Sequence, residues 1–184
     1  MNYILIVSTI IIVIIFLYFL ITFNNFVRLN NQVKESFSTM DVYLKKRWDL
    51  IPNLVETVKG YAKHEKDTFK EITALRSGEY EKLSQYEKLK TNENINVEII
   101  KLMAVAESYP ELKANQNFLL LSNELSSVED EIAQSRKYYN AVIRAFNNKV
   151  EMVPSNIIAK ILGYKAKEMF KVDNFEKKSV EVDL

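Results

Sequence analysis

The side chains that could do chemistry are few, and their spacing keeps them apart. His64 is the single histidine of the 184-residue chain. In KHEKDT it misses the H-E-x-x-H zinc pattern, because Thr68 stands where the second imidazole is needed. It also misses the Glu-x-x-His pairing of di-iron bundles, since Tyr61 holds the glutamate position. Asp41, Asp49 and Glu56 are the carboxylates most like an acid–base set. On a helix their steps of eight and seven residues separate neighbours by about 10–12 Å along the axis, too far to share one substrate atom. Glu129-Asp130-Glu131 is the densest acidic run, but consecutive residues fan around a helix and do not converge on one cation, so it reads as a solvated face. Tyr138 and Tyr139, near Arg136 and Arg144, could stack on a ligand; core and interface packing is the simpler role. There is no cysteine, no G-x-S-x-G and no glycine-rich phosphate loop. The expectation is a non-enzymatic protein, with no catalytic, cofactor-binding or metal-binding residue.

Charge narrows the partners. Lys and Arg number 25 against 24 Asp and Glu, a net +1 with the signs interspersed, so nucleic acid is not an expected partner. Three glycines and three prolines leave little punctuation and imply few, long elements.

The first element is Tyr3–Phe23, an apolar run without charge that Ser8, Thr9 and Thr22 alone interrupt. As a helix it would be roughly 31 Å long, the thickness of a bilayer's hydrocarbon core. A cleaved signal peptide would need a basic n-region, a shorter apolar stretch and a small-residue cleavage site, none of which is present. The reading is a retained single-pass signal-anchor embedded in the lipid bilayer through residues 3–23. Arg28, Lys34, Lys45, Lys46 and Arg47 lie just beyond the span, which favours the cytoplasmic side of a cell membrane for the rest of the chain.

The chain beyond the span reads as helical. Apolar residues recur from Phe26 through Val33, Phe37, Met40, Leu44, Trp48, Ile51, Val55 and Val58 to Ala62, Phe69 and Ile72, about every 3.5 residues. The phase holds across Pro52, which predicts one bent helix that ends near Gly78. A second stripe runs from Phe118 through Leu125, Ile132, Tyr139 and Phe146 to Val153, in a helix expected to begin at Pro110 and stop at Pro154. Residues 79–94 read as a charged, solvated linker and Ile95–Glu107 as a short third helix. Ser155 is placed to cap a last helix ending at Gly163, and Lys177–Leu184 alternates as extended chain. The fold class is therefore all-α: a transmembrane anchor at 1–25, an antiparallel, coiled-coil-like helical bundle at 26–170 and an extended tail at 171–184. Trp48, Val55, Leu125, Ile132, Tyr139 and Phe146 are expected in its core.

Two stretches go beyond generic bundle sequence: KKRWDLIPNLVETVKGYAKHEK at 45–66, and SYPELKANQNFLLLSNELSSVEDEIAQSRKYYNAVIRAFN at 108–147 followed by VPSNIIAKILGY. With the N-terminal anchor they form an ordered set that resembles the LemA family. Departures are Trp48 before D-L-I-P-N-L-V, the 79–94 stretch, and an ending in VDL where VDF is common. The resemblance implies a chiefly bacterial, single-span, all-α protein and brings no established catalytic residues. The function expected is a scaffold or adaptor for other membrane proteins. The alternative is an accessory subunit regulating a membrane enzyme such as a protease.

Overall fold

The structure is a computed structural model that describes residues 2–62, 70, 72–74 and 79–170. His64, Phe69, Gly78 and the tail from 171 onward lie outside the described residues, so the expectations placed on them have no structural counterpart. The architecture is all-α, with no strand among the described residues.

Helix α1 spans Asn2–Lys59, 58 residues that include Pro52 without interruption. Two features make this possible: leucine, lysine and glutamate propagate helix well, and from Phe26 onward the buried stripe supplies tertiary support beyond propensity. The single helix expected to continue toward Gly78 breaks earlier. The helix stops at Lys59, and in the turn after it the N–H groups of Tyr61 and Ala62 both donate to the Val58 carbonyl, at 3.0 and 2.9 Å. Gly60 is the breaker; without a Cβ it gives up more entropy in a helix than any other residue. The stripe read through it because Ala62 and Ile72 are both fully buried. Periodicity reports which side of the chain is inside, whatever the backbone between does.

A 3₁₀ turn at Tyr80–Lys82 leads into α2, Gln85–Glu107. The solvated linker expected at 79–94 is thus mostly the first turns of a 23-residue helix. Ser84 starts it with a capping box: its hydroxyl accepts from the Glu87 N–H at 3.3 Å, and the Glu87 carboxylate accepts from the Ser84 N–H at 2.8 Å. Those bonds hold the Glu87 carboxyl below its ordinary pKa.

Pro110 does open a helix, but a single turn, α3, Pro110–Lys113. The long helix α4, Gln116–Glu151, starts afresh because the Asn115 side-chain oxygen accepts the Phe118 N–H at 3.0 Å. Helix α5, Ser155–Ile161, is also capped differently from expectation. Ser155 sits inside the first turn and donates its hydroxyl to the carbonyls of Lys149 and Met152, at 2.7 and 2.9 Å. At the other end the expectation holds. Gly163 is left-handed at φ 72°, the Tyr164 N–H reaches the Ala159 carbonyl at 2.9 Å, and the Gly163 N–H reaches Lys160 at 3.2 Å. That pair of bonds is a Schellman motif.

The chain divides into two compact units, one of residues 1–38 with 136–184 and one of 39–135. In the first, Phe26, Phe146 and Tyr164 form a cluster with ring centroids 5.2–6.2 Å apart, and Phe37 meets Tyr139 edge-on at 6.0 Å. Along α4, the Asn147 side-chain amide exchanges two hydrogen bonds with the backbone of Lys167, and Asn140 does the same with Phe170, all at 2.8 Å. In the second unit Met40, Leu44, Ile51, Leu54, Leu102, Leu112 and Ile132 are almost wholly buried. All six residues expected in the core are buried, Trp48, Val55, Leu125 and Ile132 here and Tyr139 and Phe146 in the first unit.

Candidate functional site

Among the described residues, a buried and partnered polar group lies in the second unit, around Arg47. Leu44, Ile51 and Leu54 bracket it at steps of three and four, so the α1 backbone aims its guanidinium inward. Only 1% of the side chain is exposed. One terminal nitrogen donates to Glu129 of α4 at 2.7 Å, and the other to Asn92 of α2, to its carbonyl at 2.7 Å and to its side-chain oxygen. The planar fork of an arginine suits this bridging, because its donors point in fixed directions. Glu129 therefore does not belong to a solvated face; Asp130 beside it is exposed.

A second cluster surrounds Asp41. One carboxylate oxygen accepts from the Tyr80 hydroxyl and the other from Lys88, both at 2.6 Å. The Lys88 ammonium also lies 4.6 Å from the centre of the Tyr80 ring, which Trp48 at 5.4 Å and the Lys45 ammonium at 5.8 Å also flank. Burial first, and the hydrogen bond to Asp41 second, push the Tyr80 phenol well above its ordinary pKa. It stays protonated and donating across the neutral range. Asp41 has both oxygens engaged, which makes it an anchor for the 3₁₀ turn.

Asp49 and Glu56, the other two carboxylates of that set, stay at the surface. Asp49 pairs with Lys45 at 2.6 Å and Glu56 with Lys59 at 2.8 Å, each within one turn of α1. Glu56 also lines an open groove of about 420 Å³ together with Asn53, Thr57, Asn117, Leu120 and Leu121. Thr57 spends its hydroxyl on the Asn53 carbonyl at 2.8 Å, and the groove holds one ionisable group. Among the described residues no three or more acidic or histidine side chains are grouped to hold a metal ion. Tyr138 and Tyr139 point apart: the first is exposed and the second buried, where desolvation raises its pKa. Arg136 lies 4.5 Å over the ring of Phe170.

The sequence reading missed Arg47, Asn92, Asn140 and Asn147. A signal for the first two was present. Met40, Leu44, Arg47, Ile51, Leu54 and Val58 step by four and three, and Asn92, Ile95, Ile99, Leu102 and Ala106 by three and four. A polar residue that falls in phase with an apolar stripe is a candidate for a buried, partnered group.

The motifs behind the family resemblance serve as joints. Ile51, Leu54 and Val55 of D-L-I-P-N-L-V are buried. Asn115 of Y-P-x-L-K-A-N caps α4 and donates to the Tyr61 hydroxyl at 2.9 Å. Asn140 of R-x-Y-Y-N holds the Phe170 backbone, and Ser155 of P-S-N closes the end of α4.

The outstanding surface feature belongs to the first unit. The early part of α1 is exposed along most of the apolar run, up to the half-buried Phe19 and the buried Thr22, with a mean hydropathy of 3.3 over its most apolar window and none of that window buried. It is long and apolar enough to cross a membrane.

Comparison with known proteins finds relatives over most of the chain. The sequence is 28% identical over 165 residues to the protein LemA of Metamycoplasma hominis, covering 87% of this chain and 73% of that protein. It is 25% identical over 177 residues to the magnetosome protein MamQ 2 of Paramagnetospirillum magneticum, covering 82% of this chain and 65% of that one. It thus spans somewhat under two-thirds of the MamQ 2 length. The sequence model of the LemA family matches residues 36–184, the greater part of the chain, and the chain therefore belongs to the LemA family.

Proposed function

We propose that this protein is a single-pass, membrane-anchored, non-enzymatic scaffold or adaptor whose helical faces engage other membrane proteins. The observation that carries the reading is α1 itself. One unbroken helix presents an apolar run that is uncovered over residues 3–18 and then enters the packed core from Phe26 onward. A soluble protein's core helix of this composition would be buried; water is a poor solvent for this surface and a bilayer a good one. The exposed Arg28 and Lys34 directly after the run favour the cytoplasmic side for the rest of the chain. The polar clusters support an adaptor too, since Arg47, Asp41, Tyr80 and Lys88 are engaged in bonds within the fold.

The test is complementation of a strain lacking the protein. His64→Ala, Asp49→Ala and Glu56→Ala should each restore the wild-type state, and a chain lacking residues 1–23 should not, although it folds. Loss of complementation by Glu56→Ala in a stably folded protein would move the reading to an enzyme working at the Asn53–Asn117 groove.

A further inference from the structure

We propose that α5 and the turn before it are a second membrane-embedded element, with lipid acyl chains seated between α5 and α1. The proposal rests on the anchor reading of α1. A groove of about 490 Å³ separates the two helices, with Ile14, Ile15 and Phe19 on one wall and Pro154, Ile157 and Ile161 on the other. Pro154, Ile157 and Ile161 are spaced three and four apart and share one face of α5. That face is open: Ile161 is 69% exposed, and in the preceding turn Val153 is 78% exposed.

The position of the groove along α1 decides what fills it. Ile14–Phe19 lie four to nine residues before Phe23, where the apolar run ends, which is roughly 6–13 Å along the helix. If α1 crosses a bilayer, its neighbour at that level is inside the hydrocarbon boundary as well. The depth is that of an interfacial apolar helix, about 5–10 Å. The residues after α5 emerge in order. Tyr164 stacks on Phe26 at 5.2 Å, about two turns past Phe19, an aromatic at the height where tyrosine favours the interface. Lys167 then lies 5.3 Å from the Phe146 ring, with its backbone held by Asn147. The charges near α5 are Lys149, Glu151, Lys160 and Lys165; the lysine stems are long enough to carry their ammonium groups to the headgroups, and Glu151 is at the end of α4, ahead of the turn. The backbone in the turn is provided for: the Ser155 hydroxyl takes the Lys149 and Met152 carbonyls, and the Schellman bonds close the other end. A short helix with its terminal groups paired in this way costs less to place in hydrocarbon.

The chain has no cysteine, so single cysteines can be labelled in the full-length protein without background. Nitroxide labels at Ile157→Cys, Ile161→Cys and Val153→Cys, in phosphatidylcholine vesicles, report collisions with oxygen and with a water-soluble nickel chelate. Ile11→Cys in α1 and Val97→Cys in α2 serve as membrane and aqueous references. The expected result is an oxygen-to-nickel ratio at 157 and 161 close to that at 11 and several-fold above that at 97. A ratio at 157 and 161 equal to that at 97, with 11 still in lipid, overturns the proposal and leaves the anchor standing. Protection from both reagents would mean that protein covers the face, and it overturns the proposal too. An aqueous ratio at 11 removes the anchor and this inference together.

Discussion

Single residues in this protein matter through what they leave behind when removed. Arg47 is the clearest case, since Glu129 and Asn92 are both arranged around its charge. Arg47→Ala should lower unfolding stability by about 3–5 kcal/mol, because an acidic partner and a buried carbonyl lose their donor. Urea unfolding followed by circular dichroism reads this. Arg47→Lys should recover only part, as an ammonium cannot reproduce the fork. Tyr80 makes a pH-dependent prediction. Its phenol ionises at an ordinary value of 10.0 once unfolded but higher when folded, so the unfolded chain releases the proton first. Stability is therefore intact below pH 10 and falls as pH rises beyond it. Tyr80→Phe should be less stable at neutral pH and should show a shallower alkaline decline, with the remaining slope owed in part to Tyr139, whose phenol is also raised. A mutant with an unchanged alkaline slope would show that the phenol is not held as described. The phase of Arg47 in the stripe marked it as buried, but which residues Arg47 and Tyr80 pair with was not legible in the sequence. Side-chain period gives the inward direction, but which charge meets which depends on three helices that the period does not place.

Elements show the same division between what periodicity carries and what local chemistry adds. The stripes through Val55 and Ile132 were legible because burial imposes a repeat of about 3.5 on any helix packed lengthwise. Helix ends were not, because they depend on a few side-chain-to-backbone bonds. Asn115 starts α4 beyond the single turn that Pro110 opens, and Ser84 turns a charged linker into helix. The C-terminal signal at Gly163 was the exception, since a left-handed residue after a helix is nearly a glycine requirement. A Cβ at Gly163 would meet no atom within 4 Å, so only the backbone conformation resists replacement. Gly163→Ala should cost about 1–2 kcal/mol, with Gly163→Asn milder. Equal stability of the alanine variant and the wild type would mean the turn has another conformation.

For the molecule as a whole, the boundary between the exposed apolar run and the core is set by Phe26. It is fully buried against Phe146 and Tyr164, whereas Phe23 three residues earlier is exposed. A chain lacking residues 1–23 should be soluble and strongly helical, while one lacking residues 1–26 should be less stable by about 3–5 kcal/mol, the usual cost of truncating a buried phenylalanine. Equal melting of the two would place the boundary further along α1. This much of the division was visible in the sequence, because the apolar run and the first stripe differ in kind: one is apolar all round, the other on one side.

The two asparagines of α4 act as the marks of a vernier. Seven residues of helix separate Asn140 from Asn147, about 10.5 Å, and three residues of nearly extended chain separate Lys167 from Phe170, about 10 Å. The two scales coincide, so both amides can read peptide groups at once. A slip of the segment by one heptad would bring it against residue 133 at one end or 154 at the other, and these are Ala133 and Pro154. Neither offers a side-chain amide, so the segment has one landing position on the helix, and inserting a single residue between 167 and 170 would unseat one of its two marks.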